Sequence, residues 1–279
     1  MPEGPEIRRA ADKVQRAIAG NIVESVELFH PNLEDQEVLF LNHEVLSIGT
    51  RGKAMLTRFS SGWTIYSHNQ LYGRWTVNLI TTPPRSNRSL RLSITAGRHT
   101  ARLWSATDID VLPTEAEQEH PFIANLGPDV LDPESTPELI SERLISDSCR
   151  NRKAATLMLD QRAFAGLGNY LRSEILFISG VHPDDRPRDL DPSVIEKWGQ
   201  AIRQLSGRAY QTGGITVDEV SASRGKASGR PRRQWRHYVF NREGQGCPHC
   251  SETIIRKRYG GRRLDFCPSC QPAKRLSLS

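Results

Sequence analysis

Apolar residues recur every three to four positions through Ile7, Ala10, Ala11, Val14, Ala17 and Ile18, so residues 5–19 are predicted as an amphipathic helix. Pro5 suits its first turn, with Gly4 near the cap and Gly20 as the stop. The period then shortens to two. Residues 22–29, 45–48, 54–59, 63–66, 75–79, 90–94 and 100–104 are short β-rich runs, and Ser60-Ser61-Gly62 and Ala96-Gly97 supply turns between them. Many short strands on hairpin turns predict an antiparallel sandwich or barrel, of which the sandwich is taken as the expectation. After a proline-rich stretch that begins at Pro113, helical spacing returns over residues 138–146, 153–160, 170–179 and 192–209. The predicted class is therefore α+β in two domains: a β-sandwich with an N-terminal helix over residues 1–120, a connector over 121–136, and a helical domain over 137–221.

Charge sets the C-terminal stretch apart from the rest of the chain. Residues 222–279 hold 14 Lys and Arg against 3 Asp and Glu, leaving 24 against 29 in the first 221 residues. A polyanion would be held at this basic end. Its aromatic residues, among them Trp235, Tyr238, Phe240, Tyr259 and Phe266, predict that part of it folds. Four cysteines stand as Cys247-x-x-Cys250 and Cys267-x-x-Cys270, the spacing of a four-thiolate zinc ribbon. One structural Zn2+ is expected, because four thiolates leave no position for a reacting water. This divides the end into a basic linker over 222–236, a zinc finger over 237–271 and a tail over 272–279. Cys149 is expected to be a packing residue. No apolar run reaches membrane-spanning length and the start lacks the hydrophobic core of a signal peptide, so a cytoplasmic protein is expected.

Several short stretches carry candidate chemistry. Once Met1 is removed, Pro2 presents a secondary amine with Glu3 beside it, a nucleophile next to a proton carrier. Arg51-Gly52-Lys53 lies just before a strand, from which Lys53 can project into a cleft. Ser67-His68-Asn69-Gln70-Leu71-Tyr72-Gly73 follows a strand and places amide, aliphatic and aromatic side chains in succession, the make-up of a wedge for a base stack. Gly166-Leu167-Gly168-Asn169 delivers the chain to a helix start, where exposed backbone N–H groups and Asn169, as cap or donor, would seat a phosphate. Each has a plainer reading as a helix lead-in, a surface charge, core residues or a helix–helix turn. A basic zinc ribbon alone would equally suit a DNA-binding protein without catalysis.

Taken together, in this order and over essentially the whole chain, these motifs resemble the DNA glycosylase/AP lyase family that includes formamidopyrimidine-DNA glycosylase and endonuclease VIII. The Pro2-Glu3-Gly4-Pro5-Glu6-Ile7-Arg8-Arg9 start and the loop through Gln70, Leu71 and Tyr72 are more similar to the bacterial endonuclease VIII branch. The resemblance implies a helix–two-turn–helix segment ending at Gly166-Leu167-Gly168-Asn169-Tyr170. It implies base excision repair of oxidised pyrimidines in damaged double-stranded DNA, with Pro2 as Schiff-base nucleophile, Glu3 as proton shuttle and Lys53 assisting β-elimination. Gln70, Leu71 and Tyr72 would fill the void left by a flipped nucleotide, and Asn169 would grip the backbone. The arginine five positions before the third cysteine falls on Arg262, with Arg263 adjacent, and would bind a phosphate and take part in δ-elimination. In the connector this chain has Asn125 where the endonuclease VIII branch commonly offers arginine, so that contact with DNA should be weaker and less salt-sensitive. A cleft between the two domains, a monomer and no nucleotide cofactor complete what the resemblance implies.

Overall fold

The computed structural model describes residues 2–274 and forms two compact units, residues 1–125 and 126–279. Met1 and the last five residues of the expected tail lie outside the described residues.

The first unit opens with α1 (Gly4–Ile18), which buries Ile7, Ala11, Val14 and Ile18 along one stripe. Eight strands come next: β1 (Val23–Leu28), β2 (Val45–Arg51), β3 (Ala54–Phe59), β4 (Trp63–His68), β5 (Arg74–Leu79), β6 (Leu90–Ala96), β7 (His99–Trp104) and β8 (Asp108–Pro113). They pair antiparallel in two sheets ordered β1-β6-β7-β5 and β2-β3-β4-β8. One core joins both sheets and α1, through Val45, Met55, Phe59 and Ile65 on one side and Val23, Leu92, Ile94 and Leu103 on the other. The predicted sandwich is present, and β8 is an addition to it. Beyond β8, Arg58 grips Glu117 with two hydrogen bonds of 2.6 Å each, and Thr64 donates to the same carboxylate at 2.8 Å. That ion pair, buried at its Glu117 end, fixes the 3-10 turn Thr114–Glu119 against the outer face of the second sheet.

In the second unit, α2 (Pro137–Ile145), α4 (Asn169–Ser179) and α5 (Pro192–Thr212) share a core built on Ile140, Leu144, Leu171, Ile175, Trp198, Ile202 and Leu205. The helix expected over residues 153–160 is limited to α3 (Ala154–Leu157). The chain tightens there because Leu159 N–H bonds to Thr156 C=O and the Asp160 carboxylate takes the Arg162 N–H at 2.9 Å. The residues expected as a basic linker are instead largely built. Helix α6 (Glu219–Ala227) crosses the expected boundary, capped by Asp218, whose side chain accepts the Ser221 N–H at 2.8 Å. Trp235 then lies against Gly225, where a Cβ would come within 2.6 Å of the ring. The finger hairpin of β9 (Ile255–Tyr259) and β10 (Arg262–Phe266) turns on Gly260 and Gly261, both at positive φ. Leu264 and Phe266 extend the helical core into the finger. None of the described helices is long and apolar enough to cross a membrane.

Candidate functional site

The N-terminus is shaped by a capping box. Glu3, not Gly4, is the N-cap of α1: its carboxylate takes the Glu6 backbone N–H, and Glu6 Oε2 accepts the Glu3 N–H at 3.0 Å. The Glu3-x-x-Glu6 spacing moves the helix start one residue earlier than Pro5 alone suggests. Glu3 is consequently only 3% exposed, with its carboxylate at the positive end of the helix dipole and half-buried Pro2 immediately before it.

Lys53 belongs to a two-residue turn. Arg51 pairs with Ala54, so Gly52 and Lys53 alone join β2 to β3, and Gly52 provides the left-handed φ of 59°. The plainer reading of Lys53 as a surface charge does not hold, because it is 6% exposed. Its charge is felt at His68, whose imidazole is held below its ordinary value mainly by burial; Asp108 opposes that shift and Lys53 adds to it.

The loop after β4 has a fastened base and an exposed tip. Gly73 N–H bonds to Asn69 C=O at 2.7 Å, and a Cβ at Gly73 would meet that oxygen at 2.5 Å, so the closure requires glycine. Gln70 takes the left-handed region at φ 48° and accepts the Thr107 hydroxyl at 2.7 Å. Arg88 donates to the Tyr72 carbonyl from the neighbouring loop. Leu71 and Tyr72, at 59% and 69% exposure, are therefore held outward and are not core residues. Asn125 is exposed, and its amide donates to Pro121 C=O at 2.8 Å.

In the second unit the glycine loop differs from its expected form. Gly166, Leu167 and Gly168 are buried, and the Gly166 N–H is spent on Gln161 Oε1 at 3.0 Å while Gln161 Nε2 donates to Leu167 C=O. Gly168 is the cap of α4, and half-buried Asn169 is its first residue. Arg172, fully buried one turn on, sends Nη2 to Arg263 C=O at 2.7 Å, Arg262 C=O at 3.4 Å and Asn169 Oδ1 at 3.5 Å. This guanidinium joins the start of α4 to the tip of the finger hairpin. At that tip Arg262 is exposed, whereas Arg263 lies over the Phe240 ring at 4.8 Å and donates to Asn241.

Two further buried groups hold the finger. The Glu174 carboxylate accepts the backbone N–H groups of Tyr238, Val239 and Phe240 at 2.7–2.8 Å and the Thr216 hydroxyl at 2.5 Å. Burial pushes its pKa up, and these four donors oppose that by matching the ionised form. Gln271 bridges Val181 C=O and Cys267 N–H. Sequence reasoning misses Arg172, Glu174 and Gln271; the signal for the first two was a charged pair just ahead of the apolar run Ile175–Ile178 in α4, and Gln271 had none. The four cysteine Sγ atoms lie within 4.8 Å of one another, with separations of 3.4, 3.5 and 3.8 Å among them. Four thiolates at ~2.3 Å from one ion describe a tetrahedron with an edge of about 3.8 Å, so the cluster fits a tetrahedral metal. The His249 and Cys270 N–H groups each reach a cysteine sulfur at 3.4 Å, the support a thiolate charge needs. Pro2, Glu3, Lys53, the exposed loop and Asn125 thus belong to the first unit, and Asn169, Arg262 and the cysteines to the second.

Residues 1–106 match the model of the formamidopyrimidine-DNA glycosylase N-terminal domain, and residues 126–221 match that of the formamidopyrimidine-DNA glycosylase H2TH domain. Endonuclease 8 of Escherichia coli O17:K52:H18 (strain UMN026 / ExPEC) is 42% identical over 271 residues, covering 97% of this chain and 100% of its own length. Endonuclease 8 of Shigella boydii serotype 4 is also 42% identical over 97% of this chain. Among solved structures, Lactococcus lactis formamidopyrimidine-DNA glycosylase, bound non-covalently to DNA containing an AP site, shares the fold with a TM-score of 0.79 at 21% identity, covering 97% of this chain and 100% of that one. Two domain models of one family, matched in order, together with near full-length relatives, place this chain in the formamidopyrimidine-DNA glycosylase/endonuclease VIII family of DNA glycosylases.

Proposed function

We propose that this protein is a bifunctional DNA glycosylase/AP lyase that removes oxidised pyrimidines from duplex DNA in base excision repair. The observation that carries the reading is the N-terminal pair: Pro2 followed by the buried Glu3 carboxylate, which the first turn of α1 locks in place. Its target, C1′ of the damaged nucleotide, is out of reach inside the stack, so the nucleotide must be everted. The outward Leu71 and Tyr72, with Gln70 behind them, would occupy the void.

Pro2, freed by removal of Met1, forms a bond to C1′ as the C1′–N bond to the base breaks, and Glu3 relays the proton that departs with the base. The Pro2 nitrogen gives up its proton and O4′ takes one up, so that the C1′–O4′ bond breaks, the sugar ring opens and an iminium forms, which acidifies the C2′ proton. Its loss expels the 3′ phosphate, and a second elimination expels the 5′ phosphate, leaving a one-nucleotide gap. Lys53 would stabilise charge near the sugar. Asn169 and Arg262 would hold backbone phosphates, and the engagement of Arg263 with Phe240 and Asn241 favours Arg262 for that role. Asn125, already donating to Pro121, would make a weaker contact. When bound by the four thiolates, Zn2+ supplies rigidity to the finger and no reaction step.

Borohydride trapping on abasic duplex DNA, with mass analysis of the linked peptide, tests the chemistry. The expected adduct is on Pro2; an adduct elsewhere, no adduct, or active protein that retains Met1 would overturn it. Excision of thymine glycol measured against 8-oxoguanine opposite cytosine tests the substrate class, and a strong preference for the latter would assign the purine-directed activity instead.

A further inference from the structure

Beside the exposed loop the first unit has a cavity of about 420 Å³ between α1, β5 and residues 82–86. Three cations line it, Lys13 from α1, Arg74 from the start of β5 and Arg85 from the loop, and none of its described lining residues is acidic. Trp104 walls one side, fixed by donating from its indole Nε1 to Thr76 Oγ1 at 2.8 Å. Asn78 and Thr82 add neutral polar groups, and Pro83 and Pro84 stiffen the rim. Lys13, Arg74 and Arg85 are all exposed, as are the other lining residues from 82 to 86, so their charges face solvent around a buried Trp104.

Two connections join this cavity to the wedge. Arg74 directly succeeds Gly73, the residue that closes the loop. From the other side, Arg88, three residues past Arg85, donates to the Tyr72 carbonyl, so the loop that carries Arg85 is tied to the wedge backbone. A wedge inside a duplex is flanked by closely spaced phosphates, with one negative charge per ~1.7 Å of helix axis. Arg74 at the base of the wedge, with Lys13 and Arg85 lining the same cavity, is thereby placed to meet one of the two strands. An acid-free basic cavity with polar walls suits a phosphodiester and would repel a cationic ligand.

We propose that Lys13, Arg74 and Arg85 form a second DNA-backbone seat, which takes phosphates flanking the wedge that Lys53, Asn169 and Arg262 do not hold. This rests on the proposed function in that it takes duplex DNA to be the partner. It assigns to the β-sandwich unit a share of the electrostatic binding that composition alone places in the basic C-terminal end.

The test compares wild-type, Lys13→Ala, Arg85→Ala and the double variant binding to duplex DNA that carries a non-cleavable tetrahydrofuran abasic analogue, between about 50 and 200 mM salt. Removal of each cation that meets a phosphate should reduce the magnitude of the slope of log K against log[salt] by about 0.9, so the double variant should lose about 1.8. Near 0.1 M salt that corresponds to about tenfold in affinity per lost contact. Lys197→Ala, which removes an exposed charge from α5 in the other unit, should leave the slope unchanged. An unchanged slope in the double variant, or an equal change in Lys197→Ala, overturns the proposal; matched thermal melting curves establish that all variants are folded. Borohydride trapping with the wild-type protein keeps the two readings apart. A slope change without trapping removes the lyase chemistry and leaves the seat, and trapping without a slope change does the reverse.

Discussion

His237 combines burial and ionisability in a single side chain. It is 2% exposed, lies 5.1 Å from the ring of Tyr170 and 5.5 Å from that of Phe240, and has Nδ1 at 3.0 Å from Thr216 Oγ1. Burial, with Arg236 and Arg232 adding to it, holds its pKa down to about 3 from an ordinary 6.5. The folded protein therefore keeps His237 neutral where the unfolded chain would bind a proton, so stability is full above about pH 6.5 and is lost as pH falls toward about 3. His237→Phe should flatten the dependence of urea midpoint on pH across that window. Glu174 makes the opposite demand, since its four donors require a full acceptor. Glu174→Gln turns an NH2 toward backbone N–H groups and should cost about 3 kcal/mol, read by chemical denaturation. An equally stable variant would show that this carboxylate is not what fixes the segment leading into the finger.

At the level of elements, the exposed loop and α6 show what sequence patterns convey and what they miss. Seven strand positions are legible because β-branched and aromatic residues alternate between turn residues. Strand β8 is not, since Asp108 and Asp110 interleave with Ile109 and Val111 and read as polar chain until Ser67, Tyr66 and Ile65 pair with them. Helix α6 is hidden by Arg, Ser and Gly; its one local signal is Asp218 three residues before Ser221. That carboxyl is held at about 2, first by the Ser221 backbone N–H and then by its hydroxyl, with Tyr238 contributing. Its share of stability is present above the ordinary 3.8 and is lost as pH falls through about 2. Asp218→Ala should increase hydrogen exchange in residues 219–227 at neutral pH without altering exchange in α1. In the exposed loop, Gly73→Ala should disturb the closure at a cost of ~1–3 kcal/mol, because the added Cβ meets backbone rather than a movable side chain. Its signature would be weaker binding to duplex DNA bearing an abasic analogue, together with a melting temperature of the first unit lowered by several degrees.

For the whole molecule, the cysteine spacing and the sign of the charge at each end are readable without a structure. The fastening of the finger to α4 is not, because Arg172, Glu174 and Gln271 work through backbone groups distant in sequence. Removing metal with a chelator should unfold the hairpin of β9 and β10, release one equivalent of Zn2+ per chain and weaken DNA binding. Exchange protection in the β-sandwich unit, which has its own core, should persist. The N-cap has a different consequence. Glu3 is at once the cap of the first turn of α1 and the neighbour of the proposed nucleophile, so fraying of that single turn would disarm the protein while every sheet remained intact. Loss of turnover on warming should then run several degrees ahead of the cooperative melt, and a protein whose two curves coincide would have its reactive end secured by something other than this helix.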